Sequence, residues 1–116
     1  MPLRLLTTAA AEREMLALVE KDPMAYVELH TTLGSVSQAG LPSKHHIAVV
    51  NHQYDIHILE PVDPAPDALV ISDSKEMLVV ELRNPKGEAL SRAQKRHLAA
   101  KAAAAKGVTV SDIYVP

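Results

Sequence analysis

The 116-residue sequence predicts one α/β domain with a mixed central sheet flanked by helices. Three observations support this fold class. Apolar residues recur at helical spacing near both ends of the chain, and short apolar runs separated by turn residues fill the middle. A hydrophobic content of 47% with 22% charged residues is typical of a globular core. The predicted order is one or two helices, several strands, a helix and a final strand, within residues 1–116.

The N-terminal part of the chain predicts two helices. Residues 8–21 carry apolar side chains at helical spacing and form the first. Asp22 followed by Pro23 is typical of an N-cap and the first position of a second helix, which we expect to end at Gly34. The segment 35–44 contains Gly, Pro and Ser and is predicted to be a loop.

The strands are predicted from apolar and β-branched runs bounded by turn residues, at positions 46–50, 56–60, 68–72, 77–83 and 108–115. Short turns join the first four runs, so those strands should be antiparallel. A helix separates 77–83 from 108–115, so these two strands should run parallel with a right-handed crossover.

The helix at 91–106 has the clearest signals in the sequence. Ser91 and Gln94 form a capping box at its start, and Gly107 stands at its C-terminal cap. Alanine fills its interior, which should let the helix backbone lie close to the sheet.

The charge distribution is uneven. The net charge is −2, but residues 83–106 carry seven Lys or Arg and one Glu, a local charge of +6. A basic stripe of this kind can bind polyanions such as DNA. The alternative is a solvated helix face without a partner.

Composition excludes several functional classes. The chain has no cysteine, which rules out disulfides, thiolate metal sites and cysteine catalysis. No apolar run approaches the roughly 18 residues of a membrane-spanning helix. The N-terminal segment is too short and polar for a signal peptide, so we expect a cytoplasmic protein without a membrane partner.

Charged residues interrupt the apolar strand 77–83. Glu81 and Arg83 should lie on the same face, because side chains alternate along a strand. If the loop is Asp73–Lys75, Asp67 of the preceding strand pairs with Glu81, and two facing carboxylates favour a bridging divalent cation. A loop of even length would shift the register by one and separate the pair. The alternative is structural: Arg83 forms an ion pair with Glu81, and Asp67 caps a turn.

Two elements of the sequence resemble the signature of the PD-(D/E)XK nuclease superfamily: Pro66-Asp67, and Glu81-Leu82-Arg83 fourteen residues after Asp67. The chain around them is similar to the VRR-Nuc branch, the virus-type replication-repair nuclease domain. The likeness consists of an apolar strand, a short Pro/Gly loop, a helix opened by Ser91 and Gln94, a Gly and a final strand, in VVELRNPKGEALSRAQKRHLAAKAAAAKGVTVSDIYV. It covers about residues 66–115, whereas the first 65 residues match only in the order of elements.

The resemblance implies a restriction-endonuclease-like αβββαβ core and a small metal-dependent DNA nuclease, active on structured DNA such as junctions or flaps. Asp67 and Glu81 would bind Mg²⁺ or Mn²⁺. Arg83 occupies the place of the family lysine, and Gln94 matches the family glutamine that supports the site. Gln94 also has a purely structural explanation in the capping box.

The basic residues expected to contact DNA in this hypothesis are Lys86, Arg92, Lys95 and Arg96. A chain of this length covers little DNA, so the hypothesis includes a homodimer. Because Arg83 stays protonated and cannot act as a base, the alternative is a catalytically inactive nuclease-fold binding protein. It would be a phage or mobile-element factor that binds a host protein or DNA.

Other polar residues carry weaker hypotheses. His46, His52 and His57 could reach a Zn²⁺ ion, although their spacing fits no standard zinc pattern, and a polar hairpin is the favoured interpretation. An additional acidic ligand could come from the first helix, from among Glu12, Glu14 and Glu20, for which a solvated face is the favoured interpretation.

Overall fold

A mixed sheet separates two helical layers in the computed structural model, which describes residues 2–116. Within that range the sheet has six strands in the order β1-β5-β4-β3-β2-β6. β1 and β5 are parallel, and the other neighbours are antiparallel. The α-helices and β-strands in chain order are β1 (Arg4–Thr7), α1 (Ala9–Lys21), α2 (Pro23–Ala39), β2 (His46–Val50), β3 (Tyr54–Leu59), β4 (Asp67–Ser72), β5 (Glu76–Arg83), α3 (Arg92–Lys106) and β6 (Ile113–Tyr114), and a 3₁₀ turn, Ser43–His45, precedes β2.

The predicted α/β class with a mixed sheet between helices is confirmed. α1 and α2 cover one face, where Leu29 and Leu33 are fully buried. α3 covers the other face through Ala99, Ala102 and Ala103, all fully buried. Their small side chains let the α3 backbone lie close to the sheet, as predicted.

The second helix continues past its predicted end at Gly34 and reaches Ala39. A glycine inside a helix costs about 1 kcal/mol relative to alanine, and tertiary contacts offset this cost. The Ser37 hydroxyl donates to the Leu3 carbonyl at 2.6 Å, and the Leu3 N–H donates to the Ser37 carbonyl at 2.7 Å. The predicted loop at 35–44 was therefore wrong over its first half.

β1 was not predicted. It pairs in parallel with β5, so that β5 lies inside the sheet with a neighbour on each side. A strand of four residues at the chain terminus carries too little alternation to stand out in the sequence. Its pairing partner follows it in the chain by more than sixty residues.

The last strand differs from its prediction in length and position. β6 covers two residues instead of 108–115, and it pairs with β2 at the far edge of the sheet. It runs in the same direction as β5, as predicted, because four antiparallel pairings separate the two strands. The segment before it is held as a loop by Asn51, whose side chain bonds the backbone of Thr109, Ser111 and Asp112.

The antiparallel hairpin of β4 and β5 is confirmed, but its predicted register is wrong. Ser72 pairs with Met77, and Asp67 lies opposite Arg83 instead of Glu81. The turn explains why Ser72 pairs with Met77 instead of Glu76. The Asp73 carboxylate accepts the N–H groups of Lys75 and Glu76, at 2.8 and 2.9 Å. These bonds tighten the turn and lower the pKa of Asp73.

Candidate functional site

A bulge in β5 decides which charged side chains face α3. The register shifts opposite Leu69 and Val70, leaving one extra residue on β5. Val80 belongs to the apolar cluster under α3, and Glu81 forms an ion pair with Lys101 of α3. Two successive residues therefore point to the same side, which regular alternation would forbid.

The bulge thus restores the convergence that the tight turn would have prevented. Beyond it, Leu69 lies opposite Glu81 and Asp67 opposite Arg83. Leu69 is part of the cluster under α3, so Asp67, two residues away on β4, faces the same side. Asp67, Glu81 and Arg83 share one face, as predicted, with the two carboxylates as diagonal neighbours.

Asp67 is 3% exposed, and both of its oxygens have partners. Lys86 Nζ donates to Oδ1 at 3.0 Å, and the Gly87 N–H donates to Oδ2 at 2.8 Å. Lys86 also donates to the Pro61 carbonyl at 2.8 Å. Gly87 has φ of +65°, which favours glycine at this turn. The loop 84–87 is therefore anchored on Asp67, which has this role instead of capping a local turn.

Glu81 lies between two cations. Arg83 Nη1 donates to its Oε2 at 3.2 Å, and Lys101 pairs with Oε1. Arg83 Nη2 is also 3.6 Å from Glu88 Oε1. The ion pair that formed the structural alternative for Glu81 and Arg83 is therefore present. The side chains of Glu81 and Arg83 are about four-fifths buried, which weakens the screening of this network by solvent.

The donor set agrees with the chemistry of Mg²⁺ or Mn²⁺. These ions prefer hard oxygen ligands, and Mg²⁺ is commonly held by one or two carboxylates, with water and substrate oxygens completing the shell. Asp67 and Glu81 supply two carboxylates on one face. Across residues 2–116, no group of three or more His, Cys, Asp or Glu side chains is arranged around one metal position. A cation at Asp67 and Glu81 would have to compete for them with the basic partners that they now contact.

Two adjoining pockets, each of about 390 Å³, open beside this cluster. Asp67 and Lys95 line the first, and Gln94 and Lys101 line the second. Arg83 lines both of them. Arg83 and Glu88 of this network therefore border both cavities, each of which is large enough for a phosphate and its neighbouring groups.

Gln94 stands at the second pocket, but its side chain is engaged locally. Its side-chain Oε1 accepts the backbone N–H of Ser91 at 2.7 Å, and the backbone N–H of Gln94 donates to Ser91 Oγ at 3.1 Å. The capping box is therefore confirmed. Within the described part of the chain, these contacts do not connect Gln94 to Asp67, Glu81 or Arg83.

The other predicted DNA-contacting residues separate into two groups. Lys95 lines the first pocket, close to the loop that carries Lys86. Arg92 is exposed at the first turn of α3. Arg96 Nη1 donates to the Ile113 carbonyl at 2.9 Å and so faces β6. Lys86 and Lys95 are brought to the site, Arg96 is directed away from it, and DNA contact by all four stays a prediction.

Sequence reasoning did not include Lys101, His97 and Glu88 in the site. A signal for the first two was available, because Gln94, His97 and Lys101 follow each other at helical spacing on an otherwise Ala-rich helix. Of the glutamates on α1, Glu14 is the one that reaches β5, accepting the Leu82 N–H at 3.3 Å. It lies on the opposite side of the sheet from the network.

The histidines do not form the three-residue site considered above. His46 and His57 are cross-strand neighbours with ring centroids 4.9 Å apart, whereas His52 is at the turn, 3.3 Å from Asp112. His57 is buried, and its Nδ1 has no hydrogen-bond partner among the described residues. Burial, together with the nearby His46, lowers the pKa of His57 to about 4.

Comparison of the chain with family models, with curated proteins and with solved structures gave no match. Among the described residues, no helix is both long enough and apolar enough to cross a membrane.

Proposed function

We propose that this protein is a small metal-dependent DNA nuclease whose site is formed by Asp67, Glu81 and Arg83. The observation that carries the proposal is the bulge in β5, which turns Glu81 and Arg83 toward the side that Asp67 faces. Bulges break the regular ladder of hydrogen bonds and are over-represented beside active sites, where they re-aim side chains.

Three further features support this function. Two pockets adjoin the charged cluster, the basic segment 83–106 borders them, and the resemblance to the VRR-Nuc branch covers residues 66–115. A divalent cation held by Asp67 and Glu81 would lower the pKa of a bound water and neutralise charge on the phosphodiester. Arg83 cannot remove a proton, but its guanidinium can hold a phosphate oxygen and stabilise developing negative charge.

A second candidate function is a non-catalytic nuclease-fold protein that binds DNA or a host protein, as a phage or mobile-element factor would. The observation that favours it is the pairing of each carboxylate in the network. Asp67, Glu81 and Glu88 all have basic partners within 3.6 Å. Both candidates place the protein in the cytoplasm, the first with DNA and the second with DNA or a host protein, and a homodimer would extend the small surface of either.

Cleavage assays with matched variants test the first candidate. The wild type should cleave single-stranded, duplex or branched DNA in Mg²⁺ or Mn²⁺. Asp67→Asn and Glu81→Gln should each reduce the rate at least about 100-fold, because each removes a carboxylate from a site with two. Glu20→Gln, which neutralises an exposed glutamate on α1, is the control and should leave the rate unchanged.

Arg83→Lys provides a separate comparison, because it restores the residue type of the family signature. It should increase cleavage if Arg83 is a weak substitute in a working site. Inactivity of both the wild type and Arg83→Lys on all three forms of DNA would contradict the nuclease proposal. Retention of DNA by the same inactive proteins would then support the second candidate.

A further inference from the structure

The loop 84–87 holds Asp67 with two consecutive residues. The Lys86 ammonium group and the Gly87 backbone N–H each donate to one carboxylate oxygen, and the carboxylate is almost completely buried. The cation that neutralises Asp67 is thus the ammonium group of Lys86, 3.0 Å from Oδ1. Arg83, the cation opposite Asp67 in the ladder, is engaged with Glu81 and Glu88 instead.

We infer that Lys86 is a built-in competitor for the divalent cation at Asp67, so that the ion and the Lys86 ammonium group bind there alternately. This inference rests on the proposed function in placing a divalent cation at Asp67. The physical reason is charge. A divalent ion 2.0–2.6 Å from Oδ1 would lie within a few ångströms of the ammonium that now contacts the same atom, and the two would repel each other.

Lys86 has acceptors that it can keep when Asp67 releases it. It already donates to the Pro61 carbonyl at 2.8 Å, and its side chain is one-quarter exposed. Glu60 lies beside the same loop, since its Oε1 would be 3.9 Å from a Cβ placed on Gly87. Glu60 also lines the pocket that contains Asp67. The released ammonium therefore has a carbonyl and a second carboxylate close to its present position.

Binding of Mn²⁺ alone tests this competition, measured from the electron paramagnetic resonance signal of the free ion. Lys86→Gln removes the charge but keeps an amide that can donate to Asp67. We expect it to bind Mn²⁺ about tenfold more tightly than the wild type, because repulsion at the site is removed. Lys75→Gln removes the same charge from the exposed turn at the other end of the hairpin. That control should bind Mn²⁺ as the wild type does.

Two results of the Mn²⁺ measurement would overturn the inference. One is Mn²⁺ affinity of Lys86→Gln equal to or below that of the wild type. The other is a gain that persists when Asp67→Asn is added, since the ion would then be bound elsewhere. The proposed nuclease activity is judged separately by DNA cleavage. If Lys86→Gln binds Mn²⁺ more tightly but the wild type does not cleave DNA, the competition is supported and the nuclease proposal is contradicted. If the wild type cleaves DNA but Lys86→Gln shows no gain in Mn²⁺ affinity, the nuclease proposal is supported and the competition is contradicted.

Wild-type protein provides a second measurement that does not depend on how well the variant folds. Addition of Mg²⁺ should move the side-chain ¹⁵Nζ resonance of Lys86 toward that of an exposed lysine. The resonance of Lys75 should stay in place. A Lys86 resonance that does not respond to saturating Mg²⁺ would overturn the inference.

Discussion

The two ends of the β4–β5 hairpin are built differently, although the same two strands form both. Near the turn, Ile71 pairs with Leu78 and Val70 with Val79 in regular antiparallel register, and all four side chains are buried. Beyond the bulge, Asp67, Glu81 and Arg83 lie on the same face of the two strands. The turn end contributes apolar burial, whereas the far end gathers charges that a purely structural hairpin would not need.

The two ends of the hairpin should contribute differently to the free energy of unfolding. Apolar burial contributes roughly 25 cal/mol for each Å² removed from water, so the turn end should dominate the free energy of unfolding. Charges at the far end are close to neutral for stability as long as all are paired, because desolvation offsets their attraction. Mutations at the two ends should therefore affect different measurements.

The largest expected effect on stability is at the turn end. Ile71→Ala should lower the free energy of unfolding by about 3–4 kcal/mol, through lost burial and a residual cavity. Urea denaturation monitored by circular dichroism measures it. Ile58→Ala, at a partly buried residue on β3, is the comparison and should cost less. Equal losses at the two positions would show that the loss does not follow burial.

The next effect concerns pH and His57, which pairs with Val70 across the sheet. Its pKa is about 4 in the folded protein and 6.5 in the unfolded chain, so the unfolded state binds more protons between these values. The contribution of neutral His57 to the free energy of unfolding should therefore be fully present above about pH 6.5. The free energy of unfolding should fall by up to about 3 kcal/mol toward pH 4. Urea midpoints across this range should show the decline in the wild type, and His57→Leu should reduce it. An unchanged slope in the variant would assign the decline to other groups.

The smallest effect on stability is expected on the basic helix, where binding should change instead. Replacing Arg92, Lys95 and Arg96 with alanine should weaken DNA binding similarly for all DNA sequences. It should also reduce the slope of log affinity against log salt concentration by the equivalent of up to about three phosphate contacts. The free energy of unfolding should change by less than about 1 kcal/mol, because these side chains are mostly exposed. Fluorescence anisotropy of labelled DNA at several salt concentrations measures the binding.

The control for this triple variant removes the same charge from the other helical layer and strand β1, through alanine at Arg4, Arg13 and Lys21. It should change the affinity less, because those residues lie away from α3. Equal loss in both variants would indicate a net-charge effect without a defined surface. Full DNA retention by the α3 variant would remove that helix from the interface.

Local signals predicted the parts of the fold that depend on near neighbours. The capping box of Ser91 and Gln94, the Gly107 cap and the antiparallel hairpins are all confirmed. Of the predicted site, Asp67, Glu81 and Arg83 do share a face, whereas the side chain of Gln94 is engaged in the capping box. The register predicted for the β4–β5 hairpin was wrong. The length of its turn depends on the hydrogen bonds of Asp73, which the spacing of apolar residues does not reveal.

The sequence by itself determined the order of helices and strands from α1 onward, the Ala-rich helix against the sheet and the concentration of positive charge in residues 83–106, since these follow from composition and spacing. Only the tertiary structure decided three other features: the pairing of β1 with β5, the place of β6 at the far edge, and the bulge at Val80 and Glu81. Each depends on contacts between residues far apart in the chain. Strand alternation specifies which side chains share a face only until a bulge inserts one residue, and that insertion places Glu81 beside Lys101.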